Sequence, residues 1–229
     1  MNTAIILAAG RGTRMGAKFN KQYLYLKGKP IIAHTLNAFE RNQLIDEIIL
    51  VINQDDVELC EKNILEKYRF RKVTKVINGG SERQISVQNG LSQISSKTEI
   101  VLIHDGARPL VTEKIIERCV NGAKEFSAVS AGVPIKDTIK IMKDDGFVDF
   151  TPKRENVWIT QTPQAFKLKI IKEAHRFAAE KNILGTDDAM LVEEMGREVK
   201  MVLGDYENLK ITTPEDLITA EAILKHKRG

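Results

Sequence analysis

Cysteine is almost missing from this chain. Cys60 and Cys119 are the only two, with no C-x-x-C pair and no Cys/His cluster, which argues against a structural zinc site. Each falls in a stretch that reads as a helix, where it serves as a small buried hydrophobe in a reducing compartment. Long apolar runs are lacking too. The longest unbroken one, Ala4 to Ala9, has six residues and is too short to cross a membrane. No cationic segment precedes an apolar core at the N-terminus, so the expectation is a cytoplasmic chain with no membrane partner. Charge of one sign is scarce: the net value is +4, and Lys and Arg alternate with Asp and Glu along most segments. That balance fits anionic small molecules, and with no RNA- or DNA-reading motif it implies no nucleic-acid partner. At 229 residues, 42% hydrophobic and 29% charged, the chain can bury a sizeable core, read here as one domain over 1–229.

Two familiar phosphate loops are also absent. No G-x-x-x-x-G-K-[ST] string occurs, and the first glycine loop has the spacing G-x-G-x-x-x-G rather than G-x-G-x-x-G. What is present is Ile5-Ile6-Leu7-Ala8-Ala9-Gly10-Arg11-Gly12-Thr13-Arg14-Met15-Gly16, with Lys18 and Lys21 following. An apolar run ending in small residues reads as a buried strand turning into a tight loop. Glycines let the backbone approach a ligand closely, and inward N–H groups make an anion-binding concavity. Arg11, Arg14, Lys18 and Lys21 ring that concavity with positive charge. The string matches the L-A-A-G-x-G-x-R-M…K-Q pattern of sugar-phosphate nucleotidyltransferases, in which the loop wraps a triphosphate.

Apolar β-branched runs then alternate with amphipathic segments. Strands are expected at 3–7, 47–52, 72–77, 99–103 and 128–133, and helices at 30–39, 55–68, 81–94 and 112–126. Ser81 and Glu82 are expected to cap the third helix, with Ile85, Asn89 and Ser92 marking its apolar face. This rhythm predicts a Rossmann-like three-layer α/β/α fold around a mostly parallel sheet. Ligands bind such sheets outside the carboxyl ends of the strands. Three loops fall there: the first glycine loop, Asn78-Gly79-Gly80-Ser81, and His104-Asp105-Gly106-Ala107-Arg108-Pro109. After Pro134 the rhythm breaks. Two short alternating strands around Asp145-Gly146 predict a hairpin projecting from the domain, an arm at about 136–156. A lone two-stranded ribbon is marginal, so it either packs on a second subunit or is a surface decoration. Helices at 167–181 and 187–195, a strand at 198–203 and a helix from Pro214 complete the chain.

The glycine loop poses a problem of charge. Joining a phosphate monoester to the α-phosphorus of a nucleoside triphosphate needs no strong base, because the nucleophile is already an anion. It needs positioned cations and Mg²⁺ to bring several negative groups together. Arg14 and Lys21 are the first candidates. Lys210 precedes a helix that Pro214 starts after a Thr cap, an entrance that welcomes an anion. Asp105 either faces Mg²⁺ or substrate hydroxyls, or is a turn aspartate. His104 is read as a packing residue, since this chemistry needs no such base. Gly79-Gly80-Ser81-Glu82-Arg83 with Ser86 offers backbone groups and hydroxyls to the edge of a base, without deciding which base.

Eight ordered motifs cover essentially the whole chain: L-A-A-G-R-G-T-R-M, K-Q-Y, G-G-S-E-R-x-x-S-V, H-D-G-A-R-P, V-P-I-K-D-T-I-K, Q-T-P-Q-A-F, G-T-D-D-A and N-L-K-I-T-T-P-E-D-L. Together they resemble the 2-C-methyl-D-erythritol 4-phosphate cytidylyltransferase family. The resemblance implies that CTP and methylerythritol phosphate give CDP-methylerythritol and pyrophosphate, in non-mevalonate isoprenoid synthesis, with Mg²⁺ held mainly by the CTP phosphates and no direct protein ligand assigned. It implies a homodimer. Ala8, Ala9, Gly10, Gly80, Ser81 and Ser86 would meet cytidine, although many relatives carry Asp where this chain has Ser81. Gly12, Arg14 and Lys21 would cradle the triphosphate, and Lys210 the reacting phosphates. Asp105 and Arg108 would meet the methylerythritol hydroxyls. Thr138 would come from the neighbour's arm, with Arg154 and Thr162 on the incoming phosphate and Thr186 nearby. The nearest rival is ribitol 5-phosphate cytidylyltransferase, which commonly reads L-A-G-G and H-D-S-V-R-P where this chain has L-A-A-G and H-D-G-A-R-P. A non-catalytic nucleotide-binding regulator is disfavoured by the joint presence of Arg14, Lys21, Arg154 and Lys210.

Overall fold

The computed structural model describes residues 1–10 and 21–226. Strands β1 (Asn2–Ala8), β2 (Tyr25–Leu26) and β3 (Lys29–Pro30) come before helix α1 (Ile31–Arg41), and β4 (Glu47–Ile52) before α2 (Val57–Cys60). After β5 (Val73–Asn78) come α3 (Arg83–Ser92), β6 (Ile100–Asp105), α4 (Glu113–Phe126) and β7 (Ala128–Pro134). Strands β8 (Ile141–Met142), β9 (Val148–Phe150) and β10 (Trp158–Lys167) lead into α5 (Leu168–Lys181) and α6 (Asp188–Glu194). The chain closes with β11 (Lys200–Leu203) and α7 (Pro214–His226).

Seven strands form one sheet in the order β11-β7-β10-β6-β1-β4-β5, with β2-β3 and β8-β9 as separate pairs. Strands β1, β4 and β6 are apolar on both faces because helices cover both. Ala4, Ile6 and Ala8 point into a cluster with α1 and α4. Ile5 points the other way, into a cluster with Val87 of α3, Ile171 of α5 and Leu191 of α6. A strand buried on both sides has no reason to alternate polar and apolar residues. The three-layer α/β/α architecture expected from the rhythm follows from this.

The sequence rhythm missed β10. This strand runs antiparallel to both β6 and β7, while the other pairs in the sheet are parallel. Thr160, Gln161, Thr162 and Gln164 give it no hydrophobic period, although its core half is buried. Polar groups survive there because they are bonded. Gln164 Nε2 donates to Ser130 Oγ and Asp187 Oδ2, and its Oε1 accepts from the N–H groups of Asp188 and Ala189 at the start of α6. Pro163 sits where the pairing with β7 shifts register, a place a strand tolerates proline.

Three local expectations are corrected. The 55–68 segment is helical, but as a 3-10 turn, α2 and then a π-helix over Glu61–Glu66. Glu82, not Ser81, flanks α3 on its N-terminal side and makes no side-chain cap bond; the buried face is Ser86, Val87, Gly90 and Leu91, while Ile85 is exposed. Gly90 lets α3 lie against Ile5, so a missing side chain rather than an apolar one defines that contact.

The arm is present. Ile141 pairs with Phe150 and Met142 with Val148, and Gly146 turns the chain with φ +86. Ile141, Met142, Phe147, Val148 and Phe150 are all exposed, Phe147 by 71%.

On the sheet, β5, β4, β1 and β6 lie side by side, and the chain leaves β1 in one direction and returns to its other side as β6. Their carboxyl ends therefore surround a topological switch point. The loop after β6 is packed tightly there: a Cβ on Gly106 would lie 2.9 Å from both Leu7 O and Ile32 Cδ1. Backbone cannot move aside cheaply. Gly106→Ala is expected to destabilise the fold by about 1–3 kcal/mol, read as a lower midpoint in urea unfolding.

Candidate active site

A cavity of about 840 Å³ opens at the switch point, lined from β1 by Leu7 to Gly10, from the β5–α3 turn by Asn78 to Arg83, and by Asp105, Lys210 and Thr212. Its walls are built by close backbone approach. A Cβ on Gly79 would lie 2.3 Å from Ala9 Cβ and 2.9 Å from Ser86 Oγ, so the first two glycine loops touch only because that residue is glycine. Ser86 Oγ accepts from Gly80 N at 3.0 Å and donates to Glu82 O at 3.1 Å. The hydroxyl thus staples the turn before any ligand arrives. Gln22 donates to Ala8 O, fixing the end of β1.

Asp105 is the electrostatic centre. Its Oδ2 lies 2.9 Å from Lys210 Nζ and 3.6 Å from Arg108 Nε, and its Oδ1 lies 3.6 Å from Arg83 Nε. Burial alone would raise its pKa, but Lys210, Arg83 and Arg108 together hold the carboxyl well below the ordinary range. Its backbone N–H donates to Thr162 Oγ1. Asp105, together with Asp188 on the far side of Arg83, balances two of the three cations and leaves one positive charge at a corner suited to anions.

The cavity gathers Ala8, Ala9, Gly10, Gly80, Ser81, Ser86, Asp105 and Lys210 from four separate segments. Arg108, Thr138, Arg154, Thr162 and Thr186 are not among its described lining residues. Arg108 donates from Nη1 to Asn208 O, tying β6 to the segment that carries Lys210. Thr162 is buried, with its hydroxyl shared between Asp105 N and His104 Nδ1. Thr186 is exposed and bonds to Met190 Sδ. Thr138 and Arg154 stand at the arm, where Arg154 Nη1 donates to Lys136 O. Gly12 and Arg14 lie outside the described residues. Lys21 opens a 3-10 turn over Lys21–Tyr23, and its side chain is likewise outside the described ones.

The helix-entrance argument for Lys210 needs revising. Asp216 Oδ2 accepts from the N–H groups of Thr212 and Thr213 and from Thr212 Oγ1, all at 2.8 Å. The positive end of α7 is therefore already filled by the protein's own carboxylate. Lys210 serves the cavity through its own charge. Gln22, Asn53, Gln54 and Thr212, to which sequence reading assigned no site role, also line the cavity, as do Glu82 and Arg83, which it assigned only to the nucleobase turn. Arg83 stood in view within G-G-S-E-R, and its signal was a cation at the end of a loop already suspected.

Comparison with known proteins settles the relationship. A family model described as 2-C-methyl-D-erythritol 4-phosphate cytidylyltransferase matches residues 2–226. The chain belongs to this cytidylyltransferase family. A relative of that name from Alkaliphilus oremlandii is 52% identical over 99% of this chain and 96% of its own length. One from Caldanaerobacter subterraneus is 50% identical over 97% of this chain and 98% of its own. Among solved structures, a 4-diphosphocytidyl-2C-methyl-D-erythritol synthase from Anaerococcus prevotii superposes with a TM-score of 0.88 at 40% identity, covering 98% of this chain and 96% of that one.

Within this cytidylyltransferase scaffold His104 packs, as expected. It is wholly buried, its ring lies 4.9 Å from that of Phe39, and both nitrogens are bonded, to Thr162 Oγ1 and Arg108 O. Burial pushes its pKa down to about 3. The unfolded chain, near 6.5, therefore takes up a proton that the folded chain refuses, and stability falls as pH drops below 6.5 towards 3. From pH 7.5 to 5 this amounts to about 2 kcal/mol. Chemical denaturation at both pH values should show that loss in the wild type, and His104→Gln should lack that part of it.

Proposed function

We propose that this chain transfers the cytidylyl group of CTP to 2-C-methyl-D-erythritol 4-phosphate, giving CDP-methylerythritol and pyrophosphate. The observation that carries this reading is the Asp105–Lys210 pair facing a cavity whose other wall is two touching glycine loops. Backbone groups of Ala8–Gly10 and Gly80–Ser81 line the wall for the nucleoside, and the stapled turn is already ordered when the base arrives. Gly12, Arg14 and Lys21 are assigned to the triphosphate on their match to the family's motif. Lys210 is the mobile element: its side chain is 38% exposed, so it can turn from Asp105 to the reacting phosphates. There it would stabilise charge building on the α-phosphoryl oxygens as the substrate phosphate attacks and pyrophosphate leaves.

Magnesium fits this site as a passenger of the nucleotide. Glu82 and Asp105 are the carboxylates on the lining, Asp105 is occupied by three cations, and the described residues hold no cluster of three or more acidic, His or Cys side chains. The CTP phosphates would hold the ion, with no direct protein ligand assigned. When bound, it neutralises phosphate charge.

The second substrate is assigned to a site shared by two copies of the chain. Thr138 and Arg154 lie off this chain's own cavity, and the arm that carries them exposes five apolar side chains that a second copy would cover. Arg108, Thr162 and Thr186 complete the assignment from the body of the domain. The two cysteines are free and buried, which suits a cytoplasmic enzyme. Among the described residues no helix is long and apolar enough to cross a membrane.

Pyrophosphate release should appear with CTP and methylerythritol phosphate and not with ribitol 5-phosphate; the reverse preference would overturn the substrate. Lys21→Ala and Lys210→Ala should each lower kcat by about a hundredfold or more, and wild-type turnover in either would remove that residue from the mechanism. Arg154→Ala should raise chiefly the KM for the sugar phosphate. At sugar-phosphate concentrations well below the raised KM, mixing Arg154→Ala chains with Lys21→Ala chains should restore about a quarter of wild-type activity, since half the dimers then hold one intact site of two. No recovery on mixing would refute the shared site.

A further inference from the structure

The G-T-D-D-A motif near the end of the chain does not line the cavity, yet it contains one of the most deeply buried charges in the molecule. Asp188 is 1% exposed. Its Oδ2 lies 2.7 Å from Arg83 Nη1, and its Oδ1 lies 3.0 Å from Nε2 of His175, itself 4% exposed. The other edge of the Arg83 guanidinium faces Asp105, with Nε 3.6 Å from Oδ1. A single guanidinium therefore spans a buried acid on α6 and the acid at the end of β6. Its Nη2 is buried without a partner, so the group is held in this bridge rather than placed to satisfy all its own donors.

The two oxygens of Asp105 are not restrained alike. Among the described ion pairs Oδ2 has Lys210 and Arg108, whereas Oδ1 has Arg83. Lys210 is the more exposed of these partners and the one that must leave for the phosphates. Once it leaves, the orientation of the carboxylate depends on Arg83 and Arg108. Arg108 is tied to Asn208 O, and Arg83 is tied to Asp188. We infer that Asp188 is a positioning residue for the sugar-phosphate half of the reaction, acting through Arg83 to fix the rotation of the Asp105 carboxylate that receives the acceptor's hydroxyls. His175 in turn holds Asp188, so the chain of contacts reaches from α5 through α6 and α3 to the cavity.

This inference rests on the proposed cytidylyltransferase reading, in which Asp105 meets the sugar phosphate. It makes a prediction that a merely structural role does not. Arg83 directly follows the nucleoside turn, so general loosening there would weaken CTP binding as much as sugar-phosphate binding. Loss of Asp105 orientation affects the acceptor alone. The test compares wild type, Asp188→Asn and Arg83→Gln in steady-state pyrophosphate release, with CTP and methylerythritol phosphate varied separately. Both variants should raise the KM for methylerythritol phosphate by about tenfold or more, the scale on which a misplaced binding group acts, and leave the KM for CTP within about twofold of wild type. Should Asp188→Asn fail to fold, Arg83→Gln, whose side chain is 29% exposed, decides the matter alone. Equal rises in both KM values, or an unchanged KM for the sugar phosphate, would overturn the inference while leaving the activity standing. A wild-type protein inactive with methylerythritol phosphate would instead remove the functional reading, and this inference with it.

Discussion

Everything at the mouth of this sheet depends on one carboxylate being kept charged where burial would neutralise it. Asp105 sits at the end of β6 among Lys210, Arg83 and Arg108. Without it three cations from three segments would face each other with little solvent between them, a costly arrangement. With it, β6, α3 and the Lys210 loop are drawn to a common point. The ion pairs are also unequal in permanence. In the proposed reaction the partly exposed lysine exchanges its partner for phosphate, whereas the two arginines are bound elsewhere by Asp188 and by Asn208 O. A site that must accept several negative charges and then release them gains from one exchangeable cation on a fixed base.

The backbone contributes as much as charge. Gly79 brings its loop against Ala9, just past β1, and Gly106 brings its loop against Leu7 and Ala8 of β1, and each would clash if it carried a side chain. Ser86 then uses its one hydroxyl twice, as acceptor and donor, to hold the β5–α3 turn. Such pre-ordering lowers the entropy lost when a nucleotide binds. Along the first two glycine loops the shape of the cavity is set by main chain.

Much of this could be read from the sequence, for identifiable reasons. The apolar runs of β1, β4 and β6 admit no reading but strands covered on both faces, and the loops after them follow from the rule for ligand sites in parallel sheets. Asp105 and Lys210 were legible because each stands at an element boundary within a polar or glycine-rich run. Strand β10 was not. Its buried half owes its place to side-chain hydrogen bonds to α6 and β7 that are distant in sequence. The same distance hid the link from Arg83 to Asp188, which are 105 residues apart. The α7 entrance misled for the opposite reason: its anion is local, Asp216, and satisfies the N–H groups that a ligand was expected to fill.

The reversed direction of β10 has a consequence for how such a molecule can change. Trp158 pairs with Pro134, so the chain leaves the sheet at the end of β7 and re-enters it beside the same point. The whole arm is thus an extension of one antiparallel pair and begins at the rim where the cavity opens. Residues can be added to or removed from its tip without threading a crossover or shifting the register of any core strand. The length of the arm can therefore vary while the rim of the cavity stays fixed.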